Sequence, residues 1–154
     1  MANELIILDE DRQWAVARIA ELDQAIQALG PEFYDVFNQS SETWHDNAPF
    51  DALRDRQSLL DAERQQLRRV LRESLPSVPK QPRGRIGIGS LVTVKNAKGI
   101  HHQYKIAGDW TPYAGQRRNG AIVVSAQAPL AQQLLAKRAG EQTDFGTIIS
   151  AAAK

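Results

Sequence analysis

Ile19, Leu22, Ile26, Leu29, Phe33 and Val36 recur at spacings of 3, 4, 3, 4 and 3. Apolar residues at this period share one face only on an α-helix, and the alternation of three and four makes that face a seam for another helix. Carried back, the register meets Ala15, Arg12 and Leu8. Asp9-Glu10-Asp11 stands where such a helix would begin, and acids there oppose the positive end of the helix dipole. Gly30-Pro31 interrupts the run without shifting its phase. A proline there removes one backbone bond, so the spacing predicts a kink, or two abutting helices, rather than a domain break.

The pattern fails at Asn38-Gln39-Ser40-Ser41 and resumes beyond Phe50. Asp46-Asn47-Ala48-Pro49 has the form of a helix start, an Asx cap followed by proline in the first turn. Leu53, Leu60 and Leu67 then follow at intervals of seven, with Ala52, Leu59, Val70 and Leu71 beside them. Arg56, Gln57, Glu63 and Arg64 fill the lanes between. Each arm has roughly 25–30 residues, or about 40 Å of helix. Two such arms joined by a short loop should pack antiparallel. Residues 1–75 therefore read as a coiled-coil hairpin with its tip near residues 40–50, preceded by a short apolar lead-in.

Pro76, Pro79 and Pro82 end the helical half, and residues 76–84 read as a stiffened linker. The period then changes. Leu91–Lys95 and Gln103–Ala107 read as strands joined across the turn signal Asn96-Ala97-Lys98-Gly99, and Ala121–Ser125 as a third. Pro129–Lys137 reads as a short helix with Leu130, Leu134 and Leu135 inward. Thr143–Ile149 has the composition of one more strand, before an Ala-rich tail over 151–154 that is expected to fray. The fold class is thus α+β: a helical hairpin, then a small β-rich domain over 85–154 with one short helix.

Charge follows the same division. Residues 1–75 carry a formal −7 and residues 76–154 a formal +8, although the whole chain is only +1. Two halves of opposite sign suggest two electrostatic tasks. The sequence has no cysteine, which excludes disulfides, thiolate catalysis and Cys-based zinc sites. No apolar run approaches the roughly 20 residues that span a bilayer, and Met1–Ile7 lacks the basic region of a signal peptide. A cytoplasmic protein with no membrane partner is the default expectation.

The chemistry-bearing motifs are few. Gly84-Arg-Ile-Gly87-Ile-Gly89 lacks the spacing of a phosphate loop and the helix that would follow one, so it reads as a glycine-punctuated strand entry. His101-His102 has too few acids nearby for a metal site and reads as a surface pair. Arg83, Arg85, Lys95, Lys98, Lys105, Arg117 and Arg118 form either a solvated surface or a basic face for nucleic acid or an acidic protein. At the hairpin tip, Glu42 and Asp46 flank His45. Apical carboxylates are ordinarily solvated caps. Their functional use would be to complete a divalent-metal site begun by another macromolecule, since one or two carboxylates alone hold Mg²⁺ poorly.

Three stretches resemble one family. Asp46-Asn47-Ala48-Pro49-Phe50-Asp51-Ala52 is similar to the acidic-Asn-Ala-x-aromatic run of the bacterial GreA/GreB transcript-cleavage factors. Gly89-Ser90-Leu91-Val92-Thr93-Val94 is similar to their G-x-x-V-T-V strand. Ser125 through Glu141 is similar to their S-P-[IL]-A-x-x-L-[IL]-G-K-x-x-G-[DE] region, the most specific of the three. The resemblance implies an FKBP-like fold for the β-rich domain and bacterial RNA polymerase as partner, with the factor acting as a monomer. It implies that the hairpin enters the polymerase secondary channel and meets the nascent RNA 3′ end. Asp46 and Glu42 would there assist catalysis, with Asp46 as a ligand of a Mg²⁺ shared with the polymerase. The protein would need no cofactor of its own and would not itself be an enzyme. Asn47, Phe50, Pro129, Leu130, Arg117 and Arg118 would contact the partner.

Two departures bear on this. Aligned on Asn47-Ala48, the family's first tip acid falls on Thr43, with Glu42 one residue earlier. This leaves open a polymerase-binding modulator or inhibitor without cleavage activity, and, more distantly, an FKBP-like interaction module. The family also continues through Gly-Gly into a further strand, whereas this chain leaves open whether the sheet has its final strand.

Overall fold

The computed structural model describes residues 4–40 and 48–152. Its contacts divide them into two units. One comprises Gln13–Arg72. The other joins the described part of Met1–Arg12 to Glu73–Lys154, so the apolar lead-in packs with the C-terminal part of the chain rather than within a 1–75 unit.

Helix α1 spans Asp9–Ser40 and α2 spans Ala48–Glu73. Proline 31 lies inside α1, which continues through it as one helix. The lost backbone bond costs about 3 kcal/mol, and the seam on both sides offsets it. Leu22 and Leu29 are 1% and 2% exposed, and Phe33 and Val36 beyond the proline are half-buried. On α2, Leu67 and Val70 are buried and Leu53 and Leu60 half-buried, whereas Leu59 is 73% exposed and stands outside the seam.

The polar lanes carry the pairing between the arms. Arg18 donates to both oxygens of Glu63, at 2.7 and 3.0 Å. Arg64 bridges Asp23 and Asp61 at 2.7 Å each, and Arg56 reaches Glu32 at 3.7 Å. From Arg18–Glu63 near the start of α1 to Glu32–Arg56 further along it, the partner position on α2 moves back toward that helix's start, which fixes the antiparallel sense. The Arg18 bond holds Glu63 below the usual carboxylate range. A two-pronged guanidinium–carboxylate contact adds direction as well as energy.

The other unit is built on a six-stranded sheet. Its strands are β1 (Leu91–Lys95), β2 (His101–Ile106), β3 (Arg117–Arg118), β4 (Ala121–Val124), β5 (Gln142–Thr143) and β6 (Gly146–Ala152). Their order is β3-β4-β2-β1-β6-β5. All pairings are antiparallel except β2 with β4, which run parallel. A strand does follow Gly140-Glu141: β6 lies beside β1 and pairs Ala151 and Ala152 with Val92 and Leu91. Those two alanines are ordered into the sheet, not frayed, because β1 offers them a backbone ladder. A short helix, α3 (Pro129–Leu134), covers one sheet face. Ile86, Val92, Val94, Ile106, Ala131, Leu134 and Ile148 form the core there.

The opposite face is covered by the lead-in. Leu5 is bridged to Ser74, its N–H donating to the Glu73 carbonyl at 2.8 Å and its carbonyl accepting from Leu75 at 2.7 Å. The Ile6 N–H donates to the Asp109 carboxylate at 2.8 Å, and the Ile6 carbonyl accepts from the Asp109 N–H at 2.6 Å. Ile7 and Leu8 are consequently buried, Leu8 against Ala107 and Val123. Gly108 makes this approach possible, since a Cβ there would overlap the Ile6 carbonyl oxygen. Gly108→Ala should therefore lower the stability of this unit by about 1–3 kcal/mol, the range for forced overpacking. A denaturant titration that shows no change would mean the lead-in does not lie on Gly108.

Candidate functional site

The tip residues Glu42, Thr43, Asp46 and Asn47 lie outside the described residues. The helix ends that frame them are described. Phe50, in the first turn of α2, meets Phe33 edge to face, with centroids 5.6 Å apart and planes at 75°. The Arg54 guanidinium lies 5.9 Å from the Phe50 ring centre. Phe50 is half-buried, so its first task is to lock the two arms together just below the tip. Tyr34 and Phe37, in the last turns of α1, are 68% and 67% exposed. Asp51 adds an acid to the first turn of α2.

The remaining sequence-predicted contacts lie on the sheet unit. Arg117 and Arg118 form the exposed edge strand β3. Arg117 donates to the Gly120 carbonyl at 3.2 Å, and the Arg118 guanidinium stacks 3.9 Å from the centre of the Tyr113 ring. Arg85 donates to the Ala136 carbonyl at 2.7 Å. The basic face is thus partly tied down by internal contacts. Pro129 opens α3 in an exposed position, whereas Leu130 is half-buried against the core and serves packing. His102 contacts Asn96 at 3.3 Å. No group of three or more His, Asp or Glu able to hold a metal occurs among the described residues.

The structure adds a site that the sequence did not indicate. On the sheet face opposite α3 lies a cavity of about 560 Å³. Leu8, Val78, Ile88, Leu91, Tyr113 and Val123 supply its apolar walls, and Asp11, Lys105, Thr111 and Arg118 its polar groups. The Lys105 ammonium donates to the Gly89 carbonyl at 2.8 Å. Asp11, in the first turn of α1, is 2% exposed, and its Oδ2 has no hydrogen-bond partner. Burial pushes its pKa from the ordinary 3.8 up to about 6, against a hydrogen bond from Thr111 that lowers it. Lys105 and Arg118 pull the same way as Thr111, while Glu10 raises it. In sequence, Asp11 is indistinguishable from Asp9 and Glu10 as a helix-start acid. Only its burial sets it apart.

Residues 81–148 match the family model for the C-terminal domain of the transcription elongation factors GreA/GreB. No curated protein matches the chain. Solved structures with a similar chain include the transcription factor Gfh1, at 16% identity over 99% of this chain and 100% of that one, with a TM-score of 0.45. The GreA factor homolog 1 (Gfh1) of Thermus thermophilus is 15% identical over 97% of this chain and 99% of its own, with a TM-score of 0.39. Gfh1 of Thermus aquaticus is 18% identical over 99% and 100%, also at 0.39. Among the described residues no helix is long and apolar enough to cross a membrane.

Proposed function

From the match of residues 81–148 to the model for the GreA/GreB C-terminal domain, we propose that the protein is a GreA/GreB-type transcription elongation factor that binds bacterial RNA polymerase and carries its helical hairpin into the secondary channel. The family match over those residues is the observation that carries the reading. The antiparallel arms joined by ion pairs supply the stiffness such an insertion needs. The opposite formal charges of the two halves give each its own electrostatic character. At the tip, Glu42 and Asp46 would extend acidic oxygens toward the nascent RNA 3′ end and help the polymerase cleave its own backtracked transcript. A Mg²⁺ held mainly by the polymerase would activate the attacking water. The factor contributes ligands and position and is not itself an enzyme.

A specific residue favours a second reading. Thr43 occupies the place of the family's first tip acid, and a hydroxyl does not replace a carboxylate at a Mg²⁺ ion. A factor with this tip would occupy the channel and modulate or inhibit the polymerase without stimulating cleavage.

A cleavage assay on backtracked polymerase complexes separates the two. On the first reading the protein accelerates cleavage, and Asp46→Ala reduces the rate by at least about tenfold, roughly 1.4 kcal/mol of transition-state stabilisation. Glu42→Ala does the same if Glu42 stands in for the acid missing at Thr43. Binding without acceleration would establish the modulator. Thr43→Asp should then gain cleavage activity. Absence of polymerase binding would remove both readings.

A further inference from the structure

From the cavity on the sheet face opposite α3, we propose a ligand site for a small molecule with a compact, flat apolar body and one amidinium or guanidinium head. The site is separate from the hairpin tip and does not rest on the polymerase reading. Its volume, about 560 Å³, falls within the range of roughly 300–1,000 Å³ usual for small-molecule pockets. Its composition also fits that class, with continuous apolar walls and a few polar groups at defined positions.

The head group follows from a buried polar atom of the lining that has no partner. Lys105 is bonded to the Gly89 carbonyl, and Arg118 is stacked on Tyr113. Thr111 serves Asp11 through its hydroxyl and accepts the Tyr113 N–H at 3.2 Å. That atom is Asp11 Oδ2, an acceptor without a hydrogen-bond partner on a residue only 2% exposed. Buried polar atoms are nearly always paired, and one without a partner on a cavity wall marks where a ligand donor belongs. A cationic head also answers the local charge, since Asp9, Glu10 and Asp11 outnumber Lys105 and Arg118 along the lining. A planar fork of N–H donors matches a carboxylate better than a single ammonium does. The ring or chain behind that head would lie between Leu8, Tyr113 and Val123.

Benzamidine is a suitable probe, titrated into the full-length, isotope-labelled protein and followed by amide chemical shifts. Saturable shifts are expected at Leu8, Asp11, Thr111, Tyr113 and Val123, with an affinity in the millimolar range or tighter. Benzoate, of the same shape and opposite charge, should bind at least about tenfold more weakly. Asp11→Asn should weaken benzamidine by a similar factor while the rest of the spectrum stays native. Should that variant not fold, Tyr113→Ala removes one wall and should weaken binding in its place. No saturable shift at these positions overturns the site. Equal binding of benzoate, or undiminished binding to a folded Asp11→Asn protein, overturns the assigned head group.

Discussion

Leu134→Ala should destabilise the sheet unit by about 2–5 kcal/mol, the usual cost of emptying a buried leucine site. Leu134 is fully buried among Ile86, Val92, Val94, Ile106, Ala131 and Ile148. It also holds α3 in being. That helix has six residues and its leading residue, Ala128, makes no side-chain cap. A segment so short does not form by propensity alone, because nucleation costs more than a few bonds return. Packing of Leu134 and Ala131 supplies the difference. Typical domain stabilities are only about 5–15 kcal/mol, so this one substitution removes a large share. Urea titrations of paired variants test it. Leu59→Ala, at a position 73% exposed, should change stability by less than about 0.5 kcal/mol. Equal losses at the two positions would contradict the core assignment.

The same helix shows what a sequence exposes and what it conceals. Leu134 and the heptad leucines announce themselves because a helix repeats every few residues, so neighbours in space are near neighbours in sequence. The arms, β1 and most of β4 were legible from such local periodicity. Residues joined only by tertiary structure were not. Nothing local in residues 5–8 marks them as partners of Ser74 and Asp109, more than sixty positions away. β3 has two residues and offers no alternation to detect. The parallel pairing of β2 with β4 follows from the path of the chain between them, not from either strand's composition. Ala151 and Ala152 have weak strand propensity, and they join the sheet because β1 presents a free edge. At the tip the balance reverses. Glu42, Thr43 and Asp46 were singled out by resemblance and lie outside the described residues, whereas the Asp11 cavity is plain in the fold and silent in the sequence.

Asp11 also makes the stability of the sheet unit depend on pH in an unusual direction. Desolvation raises its folded pKa to about 6 from 3.8, with Glu10 adding to the rise and Thr111, Arg118 and Lys105 opposing it. Between those values the folded protein keeps a proton that the unfolded chain releases. Stability from this group is therefore full at low pH, falls as pH climbs through that window, and levels off above it. A shift of about two units corresponds to about 3 kcal/mol. Asp11→Asn removes the titration and keeps the shape. The variant should be more stable than the wild type by up to about 3 kcal/mol near neutral pH, and within about 1 kcal/mol of it near pH 4. Taking the difference between the two proteins at each pH cancels the carboxylates they share, Glu63 among them, whose lowered pKa gives a slope of the opposite sign. A difference that stays constant across the range would show that Asp11 is not buried as a carboxyl group in the folded protein. If it instead grows with pH as described, the same carboxylate that costs stability when unpartnered should gain most from a cationic ligand near neutral pH. Benzamidine should then raise the melting temperature of the wild type more at pH 7 than at pH 5, and raise that of Asp11→Asn less than the wild type's at pH 7, with no such dependence on pH.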